Sequence, residues 1–175
     1  EILHQAVFNG GKRIRPQLTL LCCTLTTGGG IPDPDSTMKL AVVFEYLHAA
    51  SLLHDDVIDR AELRRGKPAA NVVWGVPPVI LAGDYLHSRA RTLAGGNGGP
   101  EAVAVAGRAV SAMIESEFLQ RKNAEYRDSS EENYFRVASG KTGALIAAAC
   151  EAGVLKGGGS DEQRQAVRLY GENIG

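Results

Sequence analysis

The sequence has little cysteine, no long apolar run and no excess of either charge, and each shortage removes a class of protein. Cys22, Cys23 and Cys150 are odd in number and lack CxxC spacing, so neither a disulfide framework nor a thiolate metal site is indicated. They read as reduced packing residues of a cytoplasmic protein. Nineteen basic residues against twenty acidic ones leave a formal charge of −1, which provides no overall field for nucleic acid or an anionic membrane. Phosphate chemistry would therefore have to come from local clusters. No stretch reaches about 18 uninterrupted apolar residues, so no membrane span is expected. The opening EILHQAVFNGGKR lacks the pattern of a signal peptide. Alternation is short everywhere, which argues against a sheet, and no internal repeat is found.

What is present is helical periodicity in a chain of one-domain length, 175 residues, enough to bury a sizeable core. Pro16 suits a helix start, and Gln17–Thr27 runs apolar to the glycines at 28–30. After the IPDPD turn cluster, Ser36 is expected to cap a helix through about Asp59, with Leu40, Val43, Phe44, Leu47 and Ala50 on one face. Residues 61–70 read as a loop. A helix from Val79 to Leu93 is expected to close at GGNGGP, and Glu101–Arg127 forms the next. Ser130 begins a shorter helix toward Ser139, and Gly140-Lys141-Thr142-Gly143 interrupts the pattern before the Ala-rich run 144–152. GGGS at 157–160 is a turn, and Asp161–Asn173 is the last helix. The fold class is all-α. Both ends read as cut, since Glu1 starts inside a helical segment and YGENIG carries no cap.

The chemistry concentrates in LLHDDVIDRAELRRG, residues 52–66. Asp55 and Asp59 stand at i and i+4, so on a helix their carboxylates share one face about a turn apart. Two anions that close repel unless a cation lies between them, and hard oxygen donors without cysteine favour Mg²⁺. Acids also oppose the macrodipole at a helix C-terminus; the alternative is an ordinary solvated helix end. Arg64 and Arg65 suit bidentate phosphate capture, or simply pair with the aspartates. Gly10-Gly11-Lys12-Arg13-Ile14-Arg15-Pro16 is a second basic cluster, where glycines permit close approach of a ligand, unless it is a solvated turn. Lys141-Thr142, between glycines, is a third candidate anion site and the weakest taken alone. His48 lies two turns before Asp55 on the same face, as ligand or as structural residue. Together these describe metal-holding carboxylates ringed by Lys and Arg at the mouth of an apolar helical bundle. Such a pocket fits a substrate with a diphosphate head and a hydrocarbon body, since dry walls protect an allylic cation while cationic groups stabilise departing pyrophosphate.

GGKRIRP at 10–16, HAASLLHDDVIDRAELRRGKPAAN at 48–71 and GKT at 140–142 closely resemble the trans-isoprenyl diphosphate synthases, the polyprenyl synthetases. WG at 74–75, AGDYL at 82–86 and EENYFRVASGKTGALI at 131–146 match in order and spacing, so the resemblance spans nearly the whole chain. It implies an isoprenoid-synthase-type antiparallel helical bundle over residues 1–175 as a single domain, N-terminal and central portion only. It further implies that Asp55 and Asp59 ligate Mg²⁺ with Asp56 assisting. Arg64, Lys141 and Thr142 would hold the allylic diphosphate, and Lys12, Arg15, His48 and Arg65 the diphosphate of isopentenyl diphosphate. The implied reaction is ionisation, condensation and proton loss to pyrophosphate, catalysed by a homodimer. Asp84 and Gln120 occupy recurrent family positions and read as supporting groups. The family's second aspartate motif, FQxxDDxxD, normally follows a stretch like YGENIG; without it, residues 1–175 alone are expected to be inactive or nearly so.

Helical offsets before Asp55 place Ser51, Ala50, Leu47 and Phe44 along a channel below the metal site. Small Ser51 and Ala50 leave room there for a product longer than farnesyl, or else serve close helix packing. Two other function classes compete. A non-catalytic regulatory subunit would have eroded the aspartates, which are intact. A terpene cyclase has no second diphosphate for GGKRIRP to hold.

Overall fold

Asp33 starts the helix that carries the acidic cluster. Its side chain accepts from the Ser36 backbone N–H at 3.2 Å, and Pro34 occupies the first helical position, where its missing N–H costs nothing. Ser36, the expected cap, instead accepts from Lys156 Nζ at 2.7 Å. In this computed structural model, which describes residues 1–8, 10–127 and 129–175, the order is α1 (Ile2–Phe8), α2 (Ile14–Thr27), α3 (Pro34–Ile58), β1 (Leu63–Arg64), β2 (Lys67–Pro68), α4 (Ala70–Trp74), α5 (Val76–Tyr126), α6 (Glu131–Ala138), a π-turn (Ser139–Gly143), α7 (Ala144–Lys156) and α8 (Asp161–Ile174).

Among the described residues the molecule is all-α apart from β1–β2, a hairpin of two-residue strands within the stretch 61–70 expected to be a loop. Its turn, Arg65-Gly66, has positive φ at both residues (55° and 75°), as the twist of a tight hairpin requires. Leu40, Val43, Phe44 and Leu47 of α3 pack with Ala90, Ala94, Ala102, Val105, Ala106 and Ala109 of α5 and with Leu145, Ala148, Ala149 and Ala152 of α7. Alanines on α5 and α7 let the helix backbones approach closely, and α7 is buried at every position from Leu145 to Val154. At about 25 cal/mol per Å² such apolar burial is the main favourable contribution to the fold. Among the described residues no helix is long and apolar enough to cross a membrane.

The expected stop at GGNGGP is a bend instead. Helical hydrogen bonding continues through Gly95, Gly96 and Gly98, and only Gly99 leaves the helix (φ 71°, ψ −169°), ahead of Pro100. Proline disfavours a helical residue before it, and glycine accepts the positive φ. Consequently the arms of α5 on either side of Gly99 wall the same groove above Leu47, through His87, Ser88 and Arg91 on one side and Val103, Gly107 and Val110 on the other.

Candidate active site

Two cavities meet at the C-terminal end of α3. Both are lined by His48 and Leu52, which form the wall between them. The larger, about 400 Å³, carries Arg15, Asp55, Glu117, Arg121, Lys141 and Thr142 among apolar Ile58, Val110, Met113, Ile114 and Phe118. The smaller carries Gly10, Arg13, Glu45, Asp56, Arg64 and Arg65. A helix presents Asp55 and Asp56 about 100° apart, so adjacent aspartates face different cavities.

In the larger cavity Asp55 is half-buried. Burial pushes its carboxyl above the usual carboxylate range, and Glu117 and Asp59 push the same way while Lys141 and Arg64 oppose them. Asp59 is the C-cap of α3, exposed, with its backbone N–H on Asp55 O at 2.8 Å and Arg121 Nη2 3.6 Å from its carboxylate. Hard oxygen donors that add repulsion to the burial already raising Asp55 fit a divalent cation, although Asp59 itself lines neither cavity. Arg15 Nε is buried with no hydrogen-bond partner, and burial lowers the Arg15 pKa while Glu45 opposes it; an anionic ligand would satisfy that donor.

Lys141 reaches this cavity because of the π-turn. Gly140 lies against Ser116, whose Oγ would be 1.7 Å from a Cβ there, and a Cβ at Gly143 would be 3.0 Å from the Glu172 carbonyl oxygen. The two glycines allow α5 and α8 to close on the turn, and the wider π geometry, frequent at functional sites, sends Lys141 and Thr142 inward. Lys141 Nζ donates to Glu117 Oε2 at 2.7 Å and Gln120 Oε1 at 3.1 Å.

In the smaller cavity Arg64 donates through Nε, at 2.9 Å, and through Nη2 to Asp56 Oδ1, and Asp56 is 3% exposed. Arg13 pairs with Glu45 and donates to the Val7 carbonyl. The Arg65 guanidinium lies 3.4–3.6 Å from where Gly10 and Gly11 would carry a Cβ, ordinary contact distance, so it is the positive φ of the two residues (79° and 119°) that favours glycine there. His48 is held neutral, pushed down to about 4 by burial and by Arg15, Arg65, Arg64 and Arg13 around it.

Several expected groupings differ. Arg64 shares the cavity of Arg65 rather than that of Lys141 and Thr142, because the hairpin turn places the two arginines side by side. Arg15 lines the larger cavity together with His48, and exposed Lys12 lines neither, while Arg13 takes the place expected of it. Of the channel set, Ser51 lines the larger cavity and Leu47 the groove that continues from it past His87 and Val110. Ala50 and Phe44 are fully buried in the core and line neither. Glu117 and Arg121, one turn apart on a long helix, have the sequence pattern of a solvated ion pair and carry no local signal of a site.

The structure is thus a helical bundle in which two cavities of mixed charge share one wall, with an apolar groove behind the larger. The chain belongs to the polyprenyl synthetase family: the Polyprenyl synthetase profile matches residues 1–175. It is 42% identical over 170 residues to a short chain isoprenyl diphosphate synthase of Methanothermobacter thermautotrophicus, covering 95% of this chain and 51% of the relative. It is 38% identical over 175 residues to the nonaprenyl diphosphate synthase of Mycobacterium tuberculosis, covering 99% and 50%. A polyprenyl synthase from Caulobacter crescentus, solved with calcium and isoprenyl diphosphate, superposes with a TM-score of 0.90 at 37% identity, covering 99% of this chain and 52% of that one. The chain thus spans about half the length of the curated relatives it matches.

Proposed function

We propose that this chain is the N-terminal and central part of a cytoplasmic, homodimeric prenyltransferase domain that condenses isopentenyl diphosphate with an allylic diphosphate to give a trans-polyprenyl diphosphate. The observation that carries the reading is the shared wall: His48 and Leu52 separate a cavity bearing Asp55, Glu117, Lys141, Arg15 and Arg121 from one bearing Arg13, Arg64 and Arg65 beside Glu45 and Asp56, so each holds cationic groups. Two anionic head groups can then be held apart while their hydrocarbon ends meet. An exposed apolar row on α4 and α5, Val73, Val76, Ile80 and Leu81, supports self-association.

In this reading Asp55 and Asp59 hold Mg²⁺, which when bound neutralises charge building on the departing diphosphate. Lys141, Thr142 and Arg15 bind the allylic diphosphate from the protein side. Arg65, Arg13 and His48 face the second diphosphate, and Arg64 braces that cavity through Asp56. The allylic C–O bond breaks with its electron pair leaving on pyrophosphate. Ile58, Val110, Met113, Ile114 and Phe118 keep water from the cation that remains. The isopentenyl double bond forms the new C–C bond, and a proton lost to pyrophosphate restores the alkene. The tail would pass Ser51 toward Leu47 in the groove between the arms of α5, which supports a product longer than farnesyl.

The test is incorporation of labelled isopentenyl diphosphate onto farnesyl diphosphate with magnesium, run on residues 1–175 and on the complete reading frame. Turnover by the complete frame, lost in Asp55→Ala and Asp59→Ala, is expected, with little or none from residues 1–175 alone. A complete frame that leaves both substrates unchanged refutes the reading.

A further inference from the structure

Lys141, the lysine of the larger cavity, is not free to meet a ligand as it stands. Its ammonium rests on Glu117 Oε2 at 2.7 Å, and the other oxygen of that carboxylate accepts from Arg121 Nε at 3.1 Å. Arg121 in turn reaches Asp59 at 3.6 Å. A line of alternating charges, Lys141, Glu117, Arg121 and Asp59, therefore runs from the cavity lining out to the exposed C-cap of α3. Glu117 is the innermost acid of that line, with a side chain 17% exposed, against 56% for Asp59. The charged groups facing it are Lys141 from the π-turn, Arg121 from its own helix, and Asp55 from α3, whose carboxyl it helps to raise.

A carboxylate so placed makes with Lys141 the contact that a diphosphate oxygen would make. We propose that Glu117 is a resident counter-anion of the diphosphate cavity: it holds Lys141 and Arg121 while the cavity is empty, yields Lys141 to an incoming diphosphate, and so sets affinity for that group without touching the reacting atoms. This rests on the reading of the cavity as a diphosphate site. It follows physically from competition, since the lysine exchanges one anionic partner for another and the net gain on binding is the difference between the two. Removing the charge of Glu117 removes the competitor. The same removal also takes a negative charge from beside Asp55 and weakens the field that attracts a divalent cation. The effect on diphosphate affinity therefore depends on whether metal is present.

Calorimetric titration of the 175-residue chain with inorganic pyrophosphate tests this, in EDTA and again in excess magnesium. In EDTA, Lys141→Ala weakens binding and Glu117→Gln tightens it about tenfold, the size of one charged hydrogen bond. In magnesium the gain from Glu117→Gln shrinks or reverses. Glu117→Asp, which keeps the charge, stays near the wild-type affinity in EDTA, whereas a packing role would make both Glu117 variants weaker together. Thermal melting confirms that each variant is folded. If Glu117→Gln binds pyrophosphate no tighter than wild type in EDTA while Lys141→Ala is impaired, the counter-anion role is overturned and the diphosphate reading stands. If Lys141→Ala has no effect on pyrophosphate, the diphosphate reading falls and takes the proposal with it.

Discussion

Replacing Arg64 by Met should cost more stability than replacing its partner Asp56 by Asn. Arg64 donates twice to Asp56 Oδ1, but the two ends differ in burial: the Asp56 side chain is 5% exposed and that of Arg64 33%. Arg64→Met strands a carboxylate away from water, and a buried charge without its partner costs about 3 kcal/mol. Asp56→Asn leaves an uncharged acceptor in place, and the arginine can turn toward solvent, so the loss is about 1 kcal/mol. In the double variant no stranded charge remains, so its cost should fall below the sum of the singles by about 1.5 kcal/mol. Urea denaturation of the four proteins reads this directly. With a slope of about 2 kcal/mol/M the midpoint should drop by about 1.5 M for Arg64→Met and about 0.5 M for Asp56→Asn. Equal losses for the two singles, or strict additivity in the double, would show that the pair is solvated and that Arg64 is available for substrate.

Three further outcomes follow from the packing and the charges. Ser51→Phe projects into the larger cavity and should shorten the product of the complete enzyme with little change in melting temperature. Ala50→Phe overpacks the α3–α5 core at a cost of about 1–3 kcal/mol; product chromatography beside a melting curve separates the two, and a shortened product from a fully stable Ala50→Phe would contradict this placement. His48 is depressed from 6.5 to about 4, so the unfolded chain takes up a proton that the folded one refuses. Stability should fall as pH drops from about 6.5 to about 4, by on the order of 2 kcal/mol after discounting for partial exposure, and His48→Gln should flatten that window. Gly153→Ala sets a Cβ 2.2 Å from the Thr19 carbonyl oxygen, whereas a Cβ at Gly107 meets nothing within 4 Å. The first should destabilise by about 1–3 kcal/mol by overpacking, and the second should stabilise by about 0.5–1 kcal/mol through helix propensity; calorimetric melting distinguishes them.

Much of this molecule is written in local pattern. Apolar spacing from Leu40 to Ala50 is enough to place α3, because a helix buried along one side repeats every 3.6 residues whatever packs on it. The acids at 55 and 59 and the arginines at 64 and 65 stand out for the same reason: charge that interrupts an apolar run is visible without knowing its surroundings. Glycine-rich GGNGGP marks a break, but glycine permits a stop or a bend equally, and only the packing of the α5 arms over Leu47 selects the bend.

Which side chains share a cavity is decided by tertiary structure. Successive residues of α3 point about 100° apart, so Asp55 and Asp56 part company, while the positive-φ turn at Arg65-Gly66 brings Arg64 and Arg65 to one side. Lys12, Arg13 and Arg15 look interchangeable as a basic cluster, yet the start of α2 at Ile14 sends Arg13 to one cavity, Arg15 to the other and leaves Lys12 in solvent. Glu117 acquires its meaning only from Lys141, 24 residues away along the chain, because an ion pair between helices depends on where their axes cross, and no local spacing encodes that.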